Sequence, residues 1–139
     1  MDAMTAIQTC FEKYGDFNGR ARRSEFWWFW AFLMVASFLI TFVDDLIGTP
    51  IVGGLFTLAT ISPILAAGAR RLHDTDRSGW WQALSLPPLV IGFLTVAVGG
   101  PKFIVLAAVA AAIGAVALQI FLMTRDGMPV ANRFGPPSK

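Results

Sequence analysis

Hydrophobic positions in this chain come in long unbroken blocks, not in alternation with polar ones. Four runs carry no charged side chain: Phe26–Val43 (18 residues), Leu46–Ala69 (24), Ser78–Pro101 (24) and Phe103–Thr124 (22). A helix rises ~1.5 Å per residue and needs about 20 residues to cross the hydrocarbon layer. An open sheet would leave backbone groups unpaired in lipid. Helices of a soluble bundle would each show a polar face, and none of these runs has one. The pattern predicts an all-α integral membrane protein with four transmembrane helices, at about 26–43, 46–69, 80–99 and 103–123.

Ahead of them, "AMTAIQTCFEKY" (3–14) sets Met4, Ile7, Phe11 and Tyr14 at helical spacing, with Ala3 and Cys10 beside them. This predicts a short N-terminal amphipathic helix. Thr5 followed by Gln8 reads as a weak capping box. The turn residues of "GDFNG" (15–19) end the helix. With Asp2, Glu12 and only Lys13, it is not a basic membrane-surface helix. The expected organisation is one membrane domain over 1–139, with 1–25 as a cytoplasmic amphipathic segment and 124–139 as a cytoplasmic tail.

Composition supports this reading. The chain is 55% hydrophobic and 14% charged, against about 25% charged in an average soluble domain. The net charge of +2 forms no basic stripe, so nucleic acid is not an expected partner. One cysteine, Cys10, excludes an intrachain disulfide, and one Cys with one His cannot build the usual zinc site. No metal or cofactor is expected. The N-terminus holds no short apolar core of a cleavable signal.

Placement of the charges is more informative than their sum. Lys13, Arg20, Arg22 and Arg23 precede the first run. Arg70, Arg71 and Arg77 follow the second, and Arg125, Arg133 and Lys139 follow the fourth. Only Lys102 lies on the other side, where Asp44 and Asp45 also lie. The excess of cationic residues predicts that both termini and the link "RRLHDTDRSG" are cytoplasmic, in a plasma membrane. Trp27, Trp28, Trp30, Trp80 and Trp81 all open spans at that side and are expected to anchor at the interface.

Within the spans, Pro63 and Pro87-Pro88 predict kinks or an unwound turn. Ala107, Ala111 and Ala115 form one face of small residues, and Ala110 with Gly114 another, suited to close packing. Gln119 is expected to make an interhelical hydrogen bond. Asp44 and Asp45 read as a solvated helix end.

Three segments carry a recognisable pattern: "GRARRSEFWW" (19–28), "RRLHDTDRSGWW" (70–81) and "NRFGP" (132–136). In these the chain resembles the bacterial inner-membrane family catalogued as domain of unknown function 805, over nearly its whole length. Val130 and Ala131 stand where that pattern commonly has a glycine-containing turn. The resemblance implies a small four-span inner-membrane protein and no agreed reaction.

The span count brings the three segments to one side. Candidate ligand- or partner-binding residues are Arg20, Arg23, Arg70, Arg71, His73, Asp74, Arg77 and Asn132. If the second helix runs through residue 77, Arg70, Asp74 and Arg77 share a face, while Arg71 points elsewhere and snorkels to headgroups. Three readings follow. Ranked first, the arginines pair with Glu25, Asp74 and Asp76 to lock the helix ends. Their spare charge then binds anionic lipid headgroups or the acidic segment of a protein partner, while the small faces of the fourth span serve the bundle itself or a homo-oligomer. A small oligomeric transporter or channel is the alternative, weakened by spans without ionisable groups. Last comes an enzyme acting on a lipid phosphate, with His73 as acid or base, arginines as the clamp, and Asp74 and Asp76 holding magnesium. No residue is assigned a catalytic role.

Overall fold

The computed structural model describes residues 1–138. Its helices are α1 (Ala3–Glu12), α2 (Arg23–Ile47), α3 (Ile51–His73), α4 (Leu86–Ala97) and α5 (Lys102–Thr124). A 3-10 helix, Gly79–Ser85, leads into α4. Among the described residues no strand forms; one isolated bridge pairs Asn132 with Gly135. Four crossings are long and apolar enough for a membrane: α2, α3, the 3-10 helix with α4, and α5. Their outward side chains are large and apolar, with Phe38, Leu46, Phe93 and Phe103 each more than 70% exposed. Such a belt has lipid as its natural solvent.

The third crossing has only 19 residues. A 3-10 helix rises about 2.0 Å per residue, so seven such residues and twelve α-helical ones reach about 32 Å. The cause is local. Pro87 and Pro88 have no N–H to return to Ala83 and Leu84. Leu86 N–H instead bonds Ala83 O, and α4 opens with the proline pair in its first turn. On α5, Gln119 Nε2 donates to Trp81 O (3.2 Å) and Gln82 O (2.8 Å), so the looser turn keeps its carbonyls satisfied in an apolar setting. The expected interhelical bond of Gln119 is therefore directed at backbone.

Pro63 creates a similar vacancy, because it cannot donate to Ala59 O. The Tyr14 hydroxyl fills it at 2.5 Å, and Ser62 Oγ donates to Tyr14 O (3.0 Å). These bonds hold the segment after α1 against the flank of α3. The helix α1 buries Ala6 and Cys10 against α2, where Cys10, Phe26 and Phe29 share a core with Leu72, Leu122 and Met123. Ile7 packs on this core and Phe11 meets Phe29 edge-on at 5.4 Å between centroids, while Met4 points out at 66% exposure. Asp2, not Thr5, caps the helix. Its carboxylate accepts from Thr5 N–H (2.9 Å) and Thr5 O–H (2.8 Å), which lowers its pKa.

Two further expectations change. The small face that α5 buries is Ala108 and Ala112, with Gly92 of α4 in close approach to Ala108; Ala107, Ala110, Ala111 and Gly114 stay exposed. Asp44 is more than a solvated end. Its carboxylate accepts from Val52 N–H (3.0 Å) and Gly53 N–H (2.8 Å), capping the first turn of α3. Gly48 makes the tight turn between the two helices possible at φ 78°.

Candidate functional site

The three motif segments meet at one end of the bundle. The helix α3 stops at His73, and Asp74 closes it, so the helix does not run on to residue 77. Thr75 and Asp76 form a turn in which Asp76 takes φ 57°. This turn aims the Asp74 carboxylate inward, where it receives two guanidinium groups. Arg20 Nε lies 2.8 Å from Oδ1, and Arg71 Nη1 lies 2.6 Å from Oδ2. Ser138 Oγ donates to Oδ1 at 3.0 Å. Arg70 pairs separately with Glu25 at 3.0 Å. All five charged side chains are at most 5% exposed. Buried charges persist only when paired and hydrogen-bonded, and that condition shapes everything around them.

The guanidinium groups spend their remaining protons on carbonyls. Arg71 donates to Met123 O (3.0 Å) and to Arg125 O, closing the C-terminus of α5. A helix end leaves its last carbonyls without partners, so a buried cation is well placed there. Arg71 therefore does not snorkel to headgroups; it is fully buried between α3 and α5. Arg70 donates to Lys13 O (3.2 Å) and Asp16 O (2.7 Å), fixing the link after α1. Arg20 donates to Val130 O (2.8 Å) and to Met128 O, gathering the C-terminal tail.

Close packing against Asp74 demands a glycine. A Cβ on Gly127 would lie 1.8 Å from Asp74 Oδ2, so no side chain fits there. Gly127 went unremarked in the sequence, where its only signal is its place just after α5. Asn132 folds the tail into a turn: its Nδ2 donates to His73 O (2.8 Å) and its Oδ1 accepts from Phe134 N–H (2.9 Å). Phe134 then stacks flat on the His73 ring, centroids 3.8 Å apart. His73 Nδ1 lies 3.1 Å from Gly19 O.

The predicted residues thus divide. Arg20, Arg70, Arg71 and Asp74 are buried and consumed by one another and by backbone. Asn132 and His73 join tail to helix end. Arg23 is half-exposed and pairs with exposed Asp126 at 2.6 Å, and Arg133 with Asp76 at 3.3 Å. Among the described residues, Arg77 and Arg125 have no acid within ion-pair distance. Each lies over an aromatic ring instead, Arg77 over Trp81 (5.7 Å) and Arg125 over Phe121 (5.2 Å). Of the five tryptophans, Trp27 is partly buried, while Trp28, Trp30, Trp80 and Trp81 are exposed. Among the described residues no three His, Cys, Asp or Glu side chains gather as metal ligands.

The chain has relatives among inner membrane proteins. It is 35% identical to Inner membrane protein YhaH of Escherichia coli K12 over 134 residues, covering 92% of this chain and 91% of that one. It is 42% identical to Inner membrane protein YhaI of the same strain over 89 residues, covering 63% of this chain and 75% of that one. Comparison with solved structures finds no match. A family model matches residues 14–136, all three motif segments included, and the chain belongs to that family, Protein of unknown function (DUF805).

Proposed function

We propose that this is an inner-membrane protein whose arginine-bearing end faces the cytoplasm and binds anionic lipid headgroups. The buried cluster of Arg20, Arg70, Arg71, Glu25 and Asp74 is the frame of that face. The exposed cations are its contact surface, and α1 lies along the interface as an amphipathic segment. One observation carries the reading. Arg77 and Arg125 have no acidic partner among the described residues and rest on Trp81 and Phe121, rings that belong to the spans. A guanidinium held at the margin of an apolar belt sits where lipid phosphates sit. The sequence adds the sign, with ten cations against seven acids in the segments assigned to this side.

Lipid retention tests it. Purified protein is delipidated and offered phosphatidylglycerol or phosphatidylcholine, and bound lipid is read by native mass spectrometry. Each juxtamembrane cation contributes about 1 kcal/mol towards an anionic surface. Arg77→Gln with Arg125→Gln should then reduce the preference for phosphatidylglycerol by about thirtyfold. Added salt should weaken it in wild type. A preference that neither salt nor the double variant changes would remove the basis of the proposal.

A further inference from the structure

A groove of about 650 Å³ opens between α3 and the 3-10 helix that leads into α4. Ile61, Leu65 and Ala69 form one wall, Ala83 and Leu86 the other, and His73 with Ser78 closes the charged end. From Ile61 to His73 is twelve residues of helix, or about 18 Å. That is roughly the depth of one leaflet of a hydrocarbon core about 30 Å thick. Its apolar rim is open: Ile61, Leu65 and Leu86 are each more than 40% exposed, and Trp80 at the mouth is 84% exposed.

The chemistry at the closed end is specific. Gly19 O can only accept a hydrogen bond, so His73 Nδ1 carries the proton that faces it. In the neutral ring Nε2 is then a bare acceptor. Among the described residues it has no hydrogen-bond partner, and it lies on the groove side, 3.7 Å from where a Cβ on Gly79 would be. Phe134 covers one ring face and fixes the orientation. Beside it, Ser78 Oγ accepts from Trp80 N–H (3.3 Å) and keeps its own proton for a ligand, with Arg77 one residue before. An imidazole lone pair and a hydroxyl donor therefore stand at the head of a mainly apolar slot one leaflet deep.

We infer that this groove holds one glycerophospholipid of the adjoining leaflet whose headgroup carries an N–H or O–H donor, such as ethanolamine or glycerol. The donor bonds His73 Nε2, the phosphate meets Ser78 O–H, and one acyl chain lies along Leu65 and Ile61. A choline headgroup has no such proton and would leave Nε2 unpaired. The inference rests on the membrane placement of this end but not on anionic selectivity.

The test uses the full-length delipidated protein, offered phosphatidylethanolamine and phosphatidylcholine of identical chains in equal amounts, with adducts read by native mass spectrometry. Both lipids are zwitterionic, so the comparison is blind to the basic rim, and failure of the anionic reading would leave it untouched. Wild type should retain one ethanolamine lipid per chain with about tenfold preference. His73→Phe keeps a ring against Phe134 and should lose the preference. Ala83→Phe fills the slot away from His73 and should lose retention of both lipids; it also serves if the histidine variant does not fold. Equal retention of the two lipids by wild type, or undiminished retention by Ala83→Phe, overturns the inference.

Discussion

Asp74→Asn is the sharpest probe of the buried cluster. The amide keeps the shape of the carboxylate but removes the one negative charge that, among the described residues, pairs with both Arg20 and Arg71. Its Nδ2 also turns a donor towards guanidinium protons. Removing one partner of a buried ion pair costs about 3–5 kcal/mol, because the other charge stays behind unpaired. Here two guanidinium groups are left, although both keep their bonds to Met123, Met128 and Val130 carbonyls. Those retained bonds argue for the single-pair figure, not twice it. For a chain of this length, 1 kcal/mol moves the melting temperature by about 3–5 °C. The expected drop is therefore about 9–25 °C. Cys10 supplies the assay: it is the sole cysteine and is fully buried, so a maleimide dye reports unfolding. Asp76→Asn is the control. Its pair with Arg133 is half-exposed, worth about 0–1 kcal/mol. If Asp74→Asn melts within about 3 °C of Asp76→Asn, the buried cluster does not hold this end together, and the reasoning fails.

Four other outcomes follow from named contacts. Burial raises the Cys10 thiol to about 11, so the folded protein should resist maleimide at neutral pH; rapid labelling of native protein would contradict the burial. The unfolded thiol ionises near 9 and the folded one near 11, so the unfolded state binds fewer protons in between. Stability should fall as pH rises through that window, and Cys10→Ala should remove that share of the loss in a urea titration. Gln119→Leu leaves the Trp81 and Gln82 carbonyls without their donor and should destabilise by about 1–2 kcal/mol, with a wild-type melting curve as the contrary result. Gly127→Ala should be more damaging than Gly114→Ala, since only the former meets a neighbour; comparable expression and melting of the two would refute the steric account.

The four crossings were legible because lipid imposes one rule on every residue of a span, and charge-free runs obey it visibly. The break before Pro87 and the bond of Gln119 were legible for the same reason, since unpaired backbone in an apolar setting needs an answer. The pairing of arginines with Glu25, Asp74 and Asp76 followed from bringing the motifs to one end. The burial of Arg71 did not, because its acceptors are the carbonyls of Met123 and Arg125, and carbonyls leave no mark in a sequence. The end of α3 at His73 was hidden too: Asp74, Thr75 and Asp76 carry no glycine or proline to announce a turn. Helix faces of uniform Ala and Gly could not reveal that Ala108 and Ala112 turn inward, since every face of α5 looks alike.

The reach of Arg20 has a consequence for biosynthesis. Its guanidinium is made early, yet the carbonyls that complete its shell belong to Met128 and Val130, more than 100 residues later. Arg71 likewise waits for Met123 and Arg125. These acceptors reach the same end of the bundle only after an even number of crossings. A chain that skipped a span would deliver its tail to the opposite side and leave buried cations unsatisfied. The buried cluster is therefore complete only when every crossing has been made and the tail lies at the same end as Arg20 and Arg71.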